Sequence, residues 1–180
     1  MIDLYQHIYG NELQRKDNFD QKIGTALLLL TLDISSIAFN LNTLNKRFAD
    51  LSKIACDAII SAIFLILSIG LFLIALWFGY KAFYGRKYDY LDVESIGKGR
   101  ALLKEFFINN IEMYQGRTVT DLTEDELKKQ IQEKYLFGAQ RNFFSNNSSI
   151  VYYKKYTYAI TISLMFSGIC GLLHYILQIF

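Results

Sequence analysis

From Ala58 to Tyr80 the chain reads AIISAIFLILSIGLFLIALWFGY, 23 residues without a single charge. A helix rising about 1.5 Å per residue needs roughly 20 apolar residues to cross a hydrocarbon layer about 30 Å thick. This segment meets that length, and a helix buried on all sides in a water-soluble protein seldom runs so long without a charge. Two further segments behave similarly. Ile23 to Leu41 carries one charge, Asp33, and Tyr156 to Phe180 carries none beyond the titratable His174.

The expected fold class is an all-α membrane protein: three transmembrane helices with a cytoplasmic helical hairpin between the second and third. Residues 1–22 form a cytoplasmic N-terminal helix, 23–43 the first span and 44–57 a short periplasmic turn. Residues 58–80 form the second span, 81–153 the cytoplasmic hairpin and 156–180 the third span, read as a C-terminal anchor. The first apolar run follows 22 residues of mixed charge and precedes no small-x-small site, which argues for a span and against a cleaved signal peptide.

A net charge of +2 gives no argument for nucleic acid or an acidic partner, but the distribution of charge is informative. Lys and Arg number three before the first span, three in the turn (Lys46, Arg47, Lys53) and thirteen from Lys81 to Lys155. Three spans place sixteen of the nineteen on one side, which the positive-inside rule makes cytoplasmic. Lys81, Arg86, Lys154 and Lys155 flank Trp77, Tyr80, Tyr152 and Tyr156, the composition of a headgroup-level belt. The expected orientation therefore has the N-terminus cytoplasmic.

Cys56 and Cys170 lie at or inside membrane segments, which argues against a disulfide framework or a metal site and for small apolar fillers. His7 and His174 fall on opposite sides of the expected membrane, and no nucleophile, base and acid come together. No enzyme, no cofactor and no metal centre are expected.

Asp33 sets the sharpest constraint. A carboxylate at the centre of a span costs about 2.5 to 3.5 kcal/mol, against roughly −0.3 to −0.6 kcal/mol for each strongly apolar residue. It also has company: Asp33, Ser36, Asn40 and Thr43 follow at helical spacings and share one face, and Asp57, Ser61 and Ser68 offer a similar stripe on the second span. Such a face requires either polar partners within one protomer or water. One protomer of three helices encloses no pore. Several copies do so if Asp33, Ser36, Asn40, Thr43 and Asp57 line a shared axis, where a ring of carboxylates favours cations. On the third span Ser163, Ser167 and Gly171 recur at a spacing of four, which lets helices approach closely in lipid.

In residues 81–153, RALLKEFFINNIEMY has helical apolar spacing, Gly116 interrupts it, and Thr123 with Glu126 reads as a capping box opening a second helix. SNNSS at 145–149 is expected to break or fray that helix. GKGR at 97–100 lacks the spacing of a phosphate loop and reads most simply as a turn before a helix, or else as a phosphate contact at its N-terminus. Two helices bury little alone, so assembly with further copies is expected to stabilise this segment.

The stretches NELQRKDNFDQKIGTALLLLTL and AQRNFFSNNSSIVYYKK, each leading into a span, resemble those of small multi-pass membrane effectors of bacterial antiphage systems of the Pycsar, CBASS and Hailong types. The resemblance implies a homo-oligomer, a tetramer being one form, that conducts ions across the lipid bilayer and is gated by a cyclic nucleotide or short single-stranded DNA. A partner nucleotidyltransferase or cyclase would make that ligand. Under this implication the ligand lies in a basic setting between protomers, held by Lys98, Arg100, Lys104, Lys128 and Lys129, with Phe106 or Phe107 stacking on bases. Two alternatives are a non-channel anchor or scaffold recruiting a soluble partner through residues 81–153, and a holin-like toxin with no ligand.

Overall fold

The computed structural model describes residues 2–48, 56–84, 86–114 and 116–179, and it is helical with no strand among them. The helices are α1 (Ile2–Asp20), α2 (Lys22–Phe48), α3 (Cys56–Phe83), α4 (Val93–Asn109) and α5 (Val119–Ile179), with a 3₁₀ turn at Ile111–Met113. Three helices are long and apolar enough to cross a membrane. Of the turn expected at 44–57, residues 49–55 lie outside the described residues, and 44–48 and 56–57 belong to α2 and α3.

The chain divides into two units. An apolar bundle comprises Asn18–Arg86 and Ser148–Phe180; a polar unit comprises Met1–Asp17 and Lys87–Asn147. Helix α5, 61 residues long, supplies residues to both.

In the bundle, Tyr156 on α5 meets Ala26 of α2 and Gly79 of α3, and further along Ser167 meets Asn40 and Cys170 meets Ser61. These pairings make α2 and the end of α5 parallel and α3 antiparallel to both. The outward faces are aliphatic and aromatic: Leu28, Phe39, Ile66, Leu73, Met165 and Leu172 are all exposed. The inward faces carry Ala26, Ala75, Ala159 and Ile160 at one level and Ile37, Leu44, Leu65 and Cys170 at another. Small inward residues allow the close approach that drives helix association where no hydrophobic force acts between helices. Gly79 is one such place: a Cβ there would stand 3.2 Å from the Tyr156 ring, whose hydroxyl donates to Ala26 O, so one side chain ties all three helices.

One end of the bundle carries a cation–aromatic collar. Lys81 lies over Trp77 at 4.9 Å, Lys22 over Tyr153 at 5.7 Å, Lys155 over Phe78 at 5.6 Å, and Arg86 over Phe19 at 4.7 Å while pairing with Asp20 at 2.7 Å. Amphipathic rings and snorkelling cations in this arrangement suit a membrane–water boundary.

In the polar unit, helix α1 packs against α5 and the segment before α4, through Tyr9 and Glu12. The unit corrects three sequence expectations. Helix α5 opens one turn earlier than Thr123 suggests: Thr118 Oγ1 accepts from Asp121 N at 3.1 Å and donates to Asp121 Oδ2 at 2.7 Å. Thr123 is buried inside the helix, its hydroxyl donating to Val119 O. SNNSS does not break α5, because Asn142, Asn146 and Ser149 are buried and the two amides bond across to other segments instead of competing for their own backbone. GKGR lies inside α4, which Asp92 starts by accepting from Glu94 N at 3.0 Å, so neither a turn nor a helix N-terminus forms at 97–100. Gly116, at φ +80°, does end the preceding segment as its spacing predicts.

Candidate functional site

The polar stripe of α2 faces into the bundle. Asp33 and Asn40 are buried, Ser36 and Thr43 half-buried, and their side of the helix meets α3 and α5. Three levels of polar contact follow. At the first, Ser68 and Ser163 bond reciprocally, each hydroxyl donating to the other's carbonyl, at 3.1 and 2.9 Å. At the second, Asn40 Nδ2 donates to Ser167 O at 2.8 Å and to its Oγ at 2.9 Å, while Ser36 Oγ lies 2.6 Å from Ser167 Oγ. At the third, Cys170 Sγ donates to Ser61 O at 3.4 Å and lies 3.5 Å from His174 Nε2.

Asp33 belongs to the first level and is 0 % exposed, yet among the described residues neither carboxylate oxygen has a hydrogen-bond partner. Ser163 stands beside it and itself meets Ser68, at 2.9 Å through the carbonyl and 3.0 Å through the hydroxyl. Asn40 Oδ1 and Ser61 Oγ are likewise buried without a partner. A buried polar group left unpaired costs about 1 to 3 kcal/mol, and an isolated charge much more, so these oxygens are expensive to keep.

Asp33 and Asn40 are enclosed by helices of their own protomer, while Ser36 and Thr43 remain half-buried. Ser167 is what meets the stripe: its carbonyl and hydroxyl take the Asn40 amide hydrogens, and its hydroxyl meets Ser36. Thr43 turns its hydroxyl onto Phe39 O at 3.0 Å. The Asp57 side chain lies outside the described residues.

The basic residues expected to hold a ligand are only partly brought together. Arg100 and Lys104 line one groove of about 420 Å³ with Gly97, Ala101, Thr120, Thr123 and Glu124. Lys98, Lys128 and Lys129 do not line it. Lys98 pairs with Glu94 at 2.6 Å, Lys129 approaches Glu126 at 3.6 Å, and Arg100 is ion-paired to Glu124 within the groove. Helical spacing places Glu94 and Glu126 a turn from Lys98 and Lys129, and Glu124 reaches Arg100 from another helix, which lowers the net positive charge open to an anion. Phe106 is 51 % exposed and able to stack, but Phe107 is 6 % exposed and packs edge-on against Phe106 and Tyr114.

A network in the polar unit escaped the sequence reading. Asn146 Nδ2 donates to Glu12 O at 2.8 Å and Oε2 at 3.0 Å, and its Oδ1 accepts from Tyr88 Oη at 2.6 Å. Tyr9 Oη donates to Asp89 O at 2.9 Å and accepts from Leu91 N at 3.1 Å, and burial pushes its phenol above the ordinary tyrosine range. The Asn142–Asn146 spacing of four, matching a helix face, was the one available signal.

Compared with protein-family models, curated proteins and solved structures, the chain matches none.

Proposed function

We propose that the chain is a homo-oligomeric ion-conducting effector of a bacterial inner membrane, gated by a nucleotide or short oligonucleotide and depolarising the membrane in antiphage defence. The observation that carries this reading is Asp33: a fully enclosed, unpartnered carboxyl in a column of hydroxyls and amides, inside a bundle with an apolar exterior. Ionisable groups inside membrane helices mark ion pathways more often than packing, because their cost selects against them otherwise. Three closely packed helices leave no open bore. Conduction therefore requires a second conformation, in which the seam between α2 and α5 parts and takes up water. A polyanion binding one conformation better shifts the population between them. The groove holding Arg100 and Lys104 is the proposed anion contact, and the nucleotide class comes from the resemblance of the two membrane-entry segments.

Expression of the full chain in bacteria loaded with a voltage-sensitive dye tests the reading. Depolarisation is expected from the unaltered chain and is abolished in Asp33→Asn, with membrane insertion unchanged by fractionation. Equal depolarisation by both chains removes Asp33 from the path.

The anchor or scaffold reading is favoured by a different observation: the polar unit exposes Leu102, Phe106, Ile108 and Met113. It predicts no depolarisation from the unaltered chain.

A further inference from the structure

We infer that Asp33, Ser68 and Ser163 form a binding site for a single monovalent metal cation of the sodium or potassium class. The inference rests on the ion-conducting reading for its purpose, though its geometry stands without it. The two serines already bond each other across the seam, hydroxyl to carbonyl at 3.1 and 2.9 Å and with their Oγ atoms 3.0 Å apart. Asp33 stands at the same level with two buried oxygens that have no hydrogen-bond partner among the described residues. An all-oxygen set of this kind, with one carboxylate in it, attracts a hard cation.

Charge decides which cation. Among the described residues no basic side chain pairs with Asp33, and the groups near it, Ser163 and the Tyr156 phenol, are neutral. One carboxylate is neutralised by one positive charge. A divalent ion would leave a net +1 in a surrounding of Ala, Ile and Leu side chains, and the penalty for an unbalanced charge there is severe. The two other unmet oxygens, Asn40 Oδ1 and Ser61 Oγ, sit at successive levels of the same seam, and a cation leaving Asp33 meets oxygen at each. Several weak oxygen sites in series, instead of one closed cage, are what passage requires.

The test uses the purified full-length protein in detergent. Its thermal midpoint is read in sodium, potassium and choline chloride at equal ionic strength, choline controlling for screening. The expected result is a saturable rise in midpoint with sodium or potassium and none with choline. Asp33→Asn loses the ion-specific rise, and Ser163→Ala shifts the half-saturating concentration upward by about tenfold, equivalent to about 1.4 kcal/mol. Identical midpoints in the three salts for the unaltered protein overturn the site, and that measurement needs no variant to fold. A rise that survives in Asp33→Asn also overturns it, as does a rise that follows pH alone, which would show a proton in the cation's place. Liposome flux separates this inference from the reading it deepens. Ion-specific stabilisation without flux keeps the site and removes conduction; flux without ion-specific stabilisation does the reverse.

Discussion

Asn146 and Asn40 are both buried asparagines on helix faces, one in the polar unit and one in the apolar bundle. Asn146 uses its whole amide, donating to Glu12 and accepting from Tyr88. Asn142, one turn earlier, does the same with Asp89, accepting from its N at 3.0 Å and donating to its O at 3.3 Å. Asn40 spends its hydrogens on Ser167 and leaves Oδ1 unmet. The polar unit encloses these amides in a hydrogen-bonded network, whereas the bundle keeps oxygens available within an apolar shell. A network that is only half satisfied is the worse choice for stability, so its retention in the bundle points to use and not to packing.

Four experiments sharpen or break that contrast. The largest effect belongs to Asn146→Leu, which strips three bonds and leaves the Tyr88 hydroxyl without its acceptor. It should destabilise the polar unit by about 3 kcal/mol, read as lost hydrogen-exchange protection in residues 87–147, while Asn40→Leu costs the bundle about 1 kcal/mol. Equal losses would erase the distinction. Next, Asp33→Val should raise bundle stability by about 2 kcal/mol in denaturant titrations in micelles, because it removes an unpaired carboxyl and adds apolar contact. A destabilisation of similar size would mean that Asp33 is structural.

A smaller pair of effects tests a device common to both units. Gly138 lies under the Tyr9 ring, where a Cβ would stand 3.1 Å away, as Gly79 lies under Tyr156. Gly138→Val and Gly79→Val should each cost about 1 to 2 kcal/mol by displacing the ring, each measured within its own unit. Smallest is Tyr9→Phe, which leaves Leu91 N without its acceptor and should cost about 1 kcal/mol. It also changes the pH profile. Burial holds the Tyr9 phenol protonated above its ordinary value near 10. Above that pH the folded chain therefore binds more protons than the unfolded one, and stability falls as pH rises. Tyr9→Phe removes this contribution, and the alkaline slope of the polar unit's melting midpoint should flatten.

The helices of the bundle were legible in the residues because charge-free length is a one-dimensional property. Ala58 to Tyr80 announces a spanning helix whatever surrounds it, and α3 is that segment with a few residues added at each end. The stripe Asp33, Ser36, Asn40 was also legible, since helical spacing alone puts these residues on one face. Which neighbour that face meets was not. A shared axis and an internal seam have the same sequence signature, and the partner that Ser36 and Asn40 find in Ser167 comes only from packing. The groove shows the same limit: Lys98, Arg100, Lys104, Lys128 and Lys129 form a basic cluster in sequence, yet side-chain pairing with Glu94, Glu124 and Glu126 redistributes that charge.

The sequence by itself determined the three apolar helices and the polar stripe of α2, because local spacing and hydropathy act within one segment. The tertiary structure alone decided that α1 packs with α5 and the segment before α4, that α5 continues through 145–149, and that Asp33 is enclosed without a partner. Each of these depends on which atoms far apart in the chain come within 3 Å, and hydrogen-bond satisfaction at that distance is a property of three-dimensional packing, not of spacing along the chain.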